Sequence, residues 1–112
     1  AVGCRALRNN STGNSNVAIG IDSGRYIADG ISNNTTGSNN TFIGANTKAL
    51  ADNDQNETVI GYNAIGNGSN TVTLGNDNVT DTHLKGTVHT TTVKIGNWSL
   101  SEGSTGSLDF TL

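Results

Sequence analysis

The 112-residue sequence predicts an all-β chain built of short, stacked strands, and three observations carry that prediction. Asn, Thr, Gly and Ser together make up more than half of the chain, while charged residues are only 13% and the net charge is −3. The apolar residues are mostly Val, Ile and Leu at regular places, which separates the chain from disorder driven by high net charge. Third, one short motif recurs in register. Helical domains are excluded, because Asn, Thr, Ser and Gly are poor in helix interiors and Pro-free, Ala/Leu/Glu/Lys-rich runs are absent. No apolar run approaches the roughly 18 residues of a spanning helix, so no membrane insertion is expected. No basic n-region followed by an apolar h-region opens the chain.

The motif is a small or β-branched residue, an aliphatic one, then Gly. It appears as Ala1-Val2-Gly3, Val17-Ala18-Ile19-Gly20, Thr41-Phe42-Ile43-Gly44, Thr58-Val59-Ile60-Gly61, Val72-Thr73-Leu74-Gly75 and Val93-Lys94-Ile95-Gly96. Its glycines are separated by 17, 24, 17, 14 and 21 residues, so the shortest unit is 14 and the others carry insertions. Polar turns such as Gly13-Asn14-Ser15-Asn16, Gly37-Ser38-Asn39-Asn40 and Gly68-Ser69-Asn70 precede the strands. Gly and Asn tolerate the positive φ that tight corners require.

Positions one and three before each Gly share one face of a short strand: Val17/Ile19, Thr41/Ile43, Thr58/Ile60, Val72/Leu74 and Val93/Ile95. These are expected to form the stacked core. Ala18, Phe42, Val59, Thr73 and Lys94 face the other way. A unit this short cannot bury its apolar face alone, and stacked copies supply the rest. On that reading Ala18, Phe42 and Val59 form an outward apolar stripe, which needs a partner. The simplest partner is the chain itself, and a cyclic homotrimer is the expected arrangement.

The units Thr35-Thr36-Gly37-Ser38-Asn39-Asn40-Thr41-Phe42-Ile43-Gly44 and Val59-Ile60-Gly61-Tyr62-Asn63-Ala64-Ile65-Gly66 resemble head repeats of trimeric autotransporter adhesins and, equally, collar and shaft repeats of bacteriophage tail fibres. The resemblance covers roughly residues 1–80. It implies a trimeric, left-handed parallel β-roll, a form of β-solenoid. Two features depart from it: irregular intervals, and an insertion at about 22–32 that contains Gly24-Arg25-Tyr26-Ile27 and is expected to loop outward. The expected division is therefore repeats over 1–81 and a β-rich tip or connector over 82–112.

Past His83 the turn signature fades and Thr87 to Ile95 alternates as an extended strand. Ile95-Gly96-Asn97-Trp98-Ser99-Leu100-Ser101-Glu102-Gly103-Ser104 with Leu108-Asp109-Phe110 resembles a hairpin near the distal end of phage fibres, with Gly103 to Gly106 as its turn. No heptad pattern follows, and the chain reads as a fragment of a longer fibre.

Candidate chemistry is sparse. Six basic against nine acidic residues make no footprint for nucleic acid. Cys4 is the only thiol, expected as a buried small hydrophobe. His83 and His89 lack a His-x-His spacing; on a trimer axis they would present three imidazoles each, and polar surface is the expected reading. Asp52, Asp54 and Glu57 with Asn53 and Asn56 fit no calcium-loop pattern and read as a solvated corner. No nucleophile motif or phosphate loop is present, so no enzyme and no cofactor is expected. Asn-x-Ser/Thr at Asn34, Asn39, Asn56, Asn78 and Asn97 follows from composition. An ice-binding Thr ladder, hinted at by Thr71-Val72-Thr73 and Thr90-Thr91-Thr92, is interrupted by Phe42 and Val59. Tyr26 with Arg25 on the insertion, and Trp98, are the candidate ligand contacts.

The expected function is a structural and host-receptor-binding segment of a phage tail fibre, located on the virion. Its partners are its own copies and a bacterial surface glycan or outer-membrane protein. The alternative is a head fragment of a trimeric adhesin on the bacterial cell surface.

Overall fold

The computed structural model describes residues 1–101, with side chains through residue 97. The chain divides into two compact units, Ala1–Thr80 and Asp81–Leu112. No helix occurs among the described residues. The strands are β1 (Val17–Ile19), β2 (Thr41–Ile43), β3 (Thr58–Ile60), β4 (Val72–Leu74), β5 (Thr92–Ile95) and β6 (Trp98–Ser101).

In the first unit β1-β2-β3-β4 form one parallel sheet in sequence order. The motif copies align residue for residue: Val17, Thr41, Thr58, Val72 in one row, Ala18, Phe42, Val59, Thr73 in the next, and Ile19, Ile43, Ile60, Leu74 in the third. Val2 pairs with Ile19, which adds the first copy as a single bridge. Two further sets of parallel bridges tie the connections together: Ile27 to Ala49 with Lys48 to Ile65, and Ser38 to Gln55.

The strands are only three residues long because the backbone turns at both ends. Gly3, Gly20, Gly44 and Gly61 all have φ between +126° and +128°. A Cβ on Gly44 would meet the Gly61 carbonyl carbon at 2.8 Å, so the close approach of successive layers also demands glycine. Two residues before each strand stands a left-handed residue: Ser15, Asn39, Asn56 or Asn70. Two residues after the glycine stands another: Arg5, Asp22, Asn46 or Asn63. Asn takes this conformation at lower cost than other side chains.

The face assignment is the reverse of the one expected from the sequence. Ala18, Phe42 and Val59 are buried within the chain, with Ala49 and Ala64 completing the apolar core. Val17, Ile19, Val72 and Leu74 are exposed, and Ile43 and Ile60 are half-buried. The interior is shared with buried polar side chains, so the inward row holds the smaller Ala18, Val59 and Thr73, with Phe42 accommodated where Gly24 leaves room.

Most of those polar side chains are hydrogen-bonded across layers, as buried polar groups usually are. The Ser23 hydroxyl donates to the Phe42 carbonyl at 2.9 Å and lies 2.9 Å from the Thr47 hydroxyl. Asn16 Oδ1 accepts from the Asn40 amide at 2.9 Å, and Asn40 Oδ1 accepts from the Glu57 amide at 2.8 Å.

The sixth motif copy does not enter the parallel sheet. Val93 and Ile95 on β5 pair antiparallel with Leu100 and Trp98 on β6. Gly96 (φ +56°) and Asn97 form a two-residue turn that sends the chain straight back, where the other copies leave 14 or more residues for a return. The turn expected at Gly103 to Gly106 and the segment Leu108 to Phe110 lie outside the described residues.

Candidate functional site

The largest feature is the outward face of the sheet. The outward positions of β1, β2, β3 and β4 are Val17 and Ile19, Thr41 and Ile43, Thr58 and Ile60, and Val72 and Leu74, none of them charged. Val17 is 48% exposed, Ile19 44%, Val72 69% and Leu74 55%. Parallel pairing places these residues in two columns, with successive layers about 4.8 Å apart. The result is an uncharged, largely aliphatic strip, with Thr41 and Thr58 in the middle of one column, on a chain rich in Asn, Ser and Thr. The sequence signal for it, period-two alternation, was visible; its sign was not.

The insertion is narrower than the sequence suggested. Asp22, Ser23 and Gly24 are buried within the layer. The excursion is a small antiparallel turn closed by Tyr26 opposite Asn33, with Ile27 N–H donating to Ser32 O at 2.9 Å. Asp29 holds its tip: Oδ1 accepts from the Ile31 and Ser32 amides, both at 2.8 Å, and Oδ2 from the Ser32 hydroxyl at 2.6 Å. These bonds keep the Asp29 carboxyl below the usual aspartate range. Ile31 on this tip is 80% exposed. Nothing in the composition marked it, but the turn signal Asp29-Gly30 directly before an isolated Ile would have.

Arg25 and Tyr26 are brought together but are not a free pair. The Arg25 guanidinium carbon sits 4.5 Å from the Tyr26 ring centroid, within cation–π range. Arg25 also pairs with Asp22 at 2.9 Å, and Arg5 pairs with the same carboxylate at 2.8 Å. The two guanidiniums, Arg5 first, hold the Asp22 carboxyl below its ordinary range. Arg25 is therefore committed to the fold, and Tyr26 lies half-buried under it. Trp98 occupies the first position of β6, and its side chain lies outside the described ones.

A groove of about 580 Å³ runs past β4, with Leu50, Ile65 and Leu74 beside Asn63, Asn67 and Asn76. Much of its polar capacity is used internally. Asn67 Nδ2 donates to Thr73 Oγ1 at 2.8 Å, Asn76 Nδ2 to Tyr62 O at 2.7 Å, and Asn63 Oδ1 accepts from Lys48 Nζ at 2.8 Å.

The acidic corner is not solvated as expected. Asp54 and Glu57 are buried, and Asp52 accepts from the Thr35 and Thr36 amides and the Thr35 hydroxyl. Internal amides and hydroxyls reach these carboxyls, although Glu57 Oε2 is left without a partner. Cys4 is exposed rather than buried, because it follows Gly3 in a corner at the first layer. His83 and His89 are exposed. No group of three metal-ligating side chains occurs among the described residues.

Comparison with protein-family models, curated proteins and solved structures gives no match.

Proposed function

We propose that the chain is a homotrimeric, structural and host-receptor-binding segment of a bacteriophage tail fibre, its layers wound as a left-handed parallel β-roll. One observation carries this reading: Val17, Ile19, Val72 and Leu74 are exposed on the outward face of the sheet, with Ile43 and Ile60 half-buried between them. An uncharged strip of this kind on a polar protein marks an association surface. Packing three copies strip to strip around an axis covers it and leaves the polar corners in water. The hairpin β5–β6 after the repeats supports a fibre over the adhesin head.

Three copies present three identical sets of corners to a bacterial surface glycan or outer-membrane protein. Avidity then grows without a strong single site. The exposed Ile31 on the turn supports that turn as the contacting element.

Light scattering at micromolar concentration tests the assembly. Three times the chain mass of 11.5 kDa is expected, and a mass near 11.5 kDa overturns the trimer. Whole-cell binding tests the contact. Shortening the turn between Tyr26 and Asn33 is expected to reduce attachment to host bacteria, and undiminished attachment removes the turn from the binding surface.

A further inference from the structure

The residue just before β1, β2, β3 and β4 is Asn16, Asn40, Glu57 and Thr71 in turn. Asn40 shows what this position does. Its Oδ1 accepts from the Glu57 amide and its Nδ2 donates to the Asp54 carbonyl, both at 2.8 Å, so a neutral amide joins one layer to the next. Glu57 occupies the same place with a carboxyl.

That carboxyl is fully enclosed; Glu57 is 0% exposed. Oε1 accepts from Gly68 N–H at 2.9 Å and, more weakly, from Leu50 N–H at 3.4 Å. Oε2 is buried with no hydrogen-bond partner. Gly66 makes the space, since a Cβ there would overlap Oε1.

No cation offsets the site. Asp54 is the charged neighbour, with Oδ2 accepting from Ala51 N–H at 2.7 Å and Oδ1 from the Ser69 hydroxyl at 3.1 Å. Lys48 sends its ammonium to the Asn46 carbonyl and Asn63 Oδ1 instead. Asp52 is held by Thr35 and Thr36. Strands β2 and β4 and residues 64–71 carry no titratable side chain. A buried anion with one bare oxygen and an anionic neighbour is costly, and a neutral acid in the same place costs less, since it leaves one unpaired O–H rather than an unpaired charge.

We propose that Glu57 is a proton-operated lock between the third and fourth layers. Carrying a proton, it keeps Oε1 on the Gly68 and Leu50 amides without a buried charge. Losing the proton favours an outward swing of the carboxylate, which frees both amides and loosens the corner from Leu50 to Gly68. Burial, with Asp54 adding to it, raises the Glu57 pKa, while the two amide bonds oppose the rise. A carboxyl raised in the folded state binds more protons folded than unfolded. Its contribution is therefore complete below the ordinary glutamate range and is lost as pH rises through the raised value. The lock acts within one chain and does not depend on the trimer or the fibre.

Carbon-detected NMR of the Glu57 carboxyl in the intact chain is the direct test. A midpoint above the ordinary glutamate range is expected, and an ordinary midpoint overturns the proposal. Thermal melts from pH 4 to pH 8 form the second arm. The wild type is expected to lose about 5 °C across the interval relative to Glu57→Gln. Parallel profiles for the two proteins overturn it. If Glu57→Gln does not fold, amide exchange in the wild type decides. Protection of Gly68 and Leu50, corrected for the intrinsic rate, is expected to fall as Glu57 ionises, and constant protection overturns the lock.

Discussion

The Phe42 ring lies against Gly24 so closely that a Cβ on Gly24 would stand 2.5 Å from Phe42 Cδ2. Phe42 is the one large side chain in a row otherwise held by Ala18, Val59 and Thr73, and the missing side chain of Gly24 gives it room. Phe42→Ala is expected to cost about 3–5 kcal/mol, read from urea unfolding. Gly24→Ala is also expected to destabilise, through that overlap and through φ +65°. In the double variant the overlap with Phe42 disappears, leaving the backbone strain and a 3.0 Å approach to Leu7 Cδ2. The loss in the double variant should then be smaller than the sum of the two single losses, and strict additivity would show that the contact carries no weight.

Neighbouring residues on β3 separate folding from association. Val59→Asp places a charge in the interior and is expected to abolish folding, seen as loss of the β-sheet signal in circular dichroism. Ile60→Asp places it on the outward strip. There the strand is expected to persist while the proposed trimer falls to a single chain in light scattering. A soluble trimer of Ile60→Asp would place the interface elsewhere.

Gly44→Ala tests the layer spacing. Both φ +126° and the 2.8 Å approach to Gly61 oppose a side chain. A loss of about 1–3 kcal/mol from the backbone alone is expected, with the clash in addition. A melting temperature within a degree of the wild type would contradict the stacking distance.

Acid titration probes the ion cluster at the first layers. Because Arg5 and Arg25 lower the Asp22 pKa, the pairing contributes above the ordinary aspartate range and is lost as pH falls through the lowered value. Arg5 is well exposed, so solvent screening keeps the sum small. Asp22→Asn is expected to cost about 1 kcal/mol at pH 7 and almost nothing at the acid end. Its slope is opposite in sign to that of Glu57.

Much of the architecture was legible in residue spacing. The motif copies from Val17 to Leu74 predicted four strands, and the Gly and Asn corners predicted where the chain turns. Three features were not legible. Period-two alternation separates Ile60 from Val59 but does not say which one faces inward. The sixth copy, Val93-Lys94-Ile95-Gly96, matches the motif, yet Gly96-Asn97 is also a two-residue hairpin turn, and local turn geometry prevailed. The acids Asp52, Asp54 and Glu57 read as surface from composition, because the amides and hydroxyls that enclose them come from distant residues such as Thr35, Gly68 and Ser69.

The sequence by itself determined an all-β chain with short strands in repeated register, since these follow from local backbone preferences and from spacing. Tertiary structure decided which strand face became the core and which became the outward strip. It also decided that Arg25 serves Asp22 and that Glu57 is enclosed. The core face and the Glu57 enclosure depend on the volume and hydrogen-bonding capacity left when one layer settles on the next, and no single repeat contains that information; the Arg25–Asp22 pair is local, and Arg5 joins it from the preceding layer.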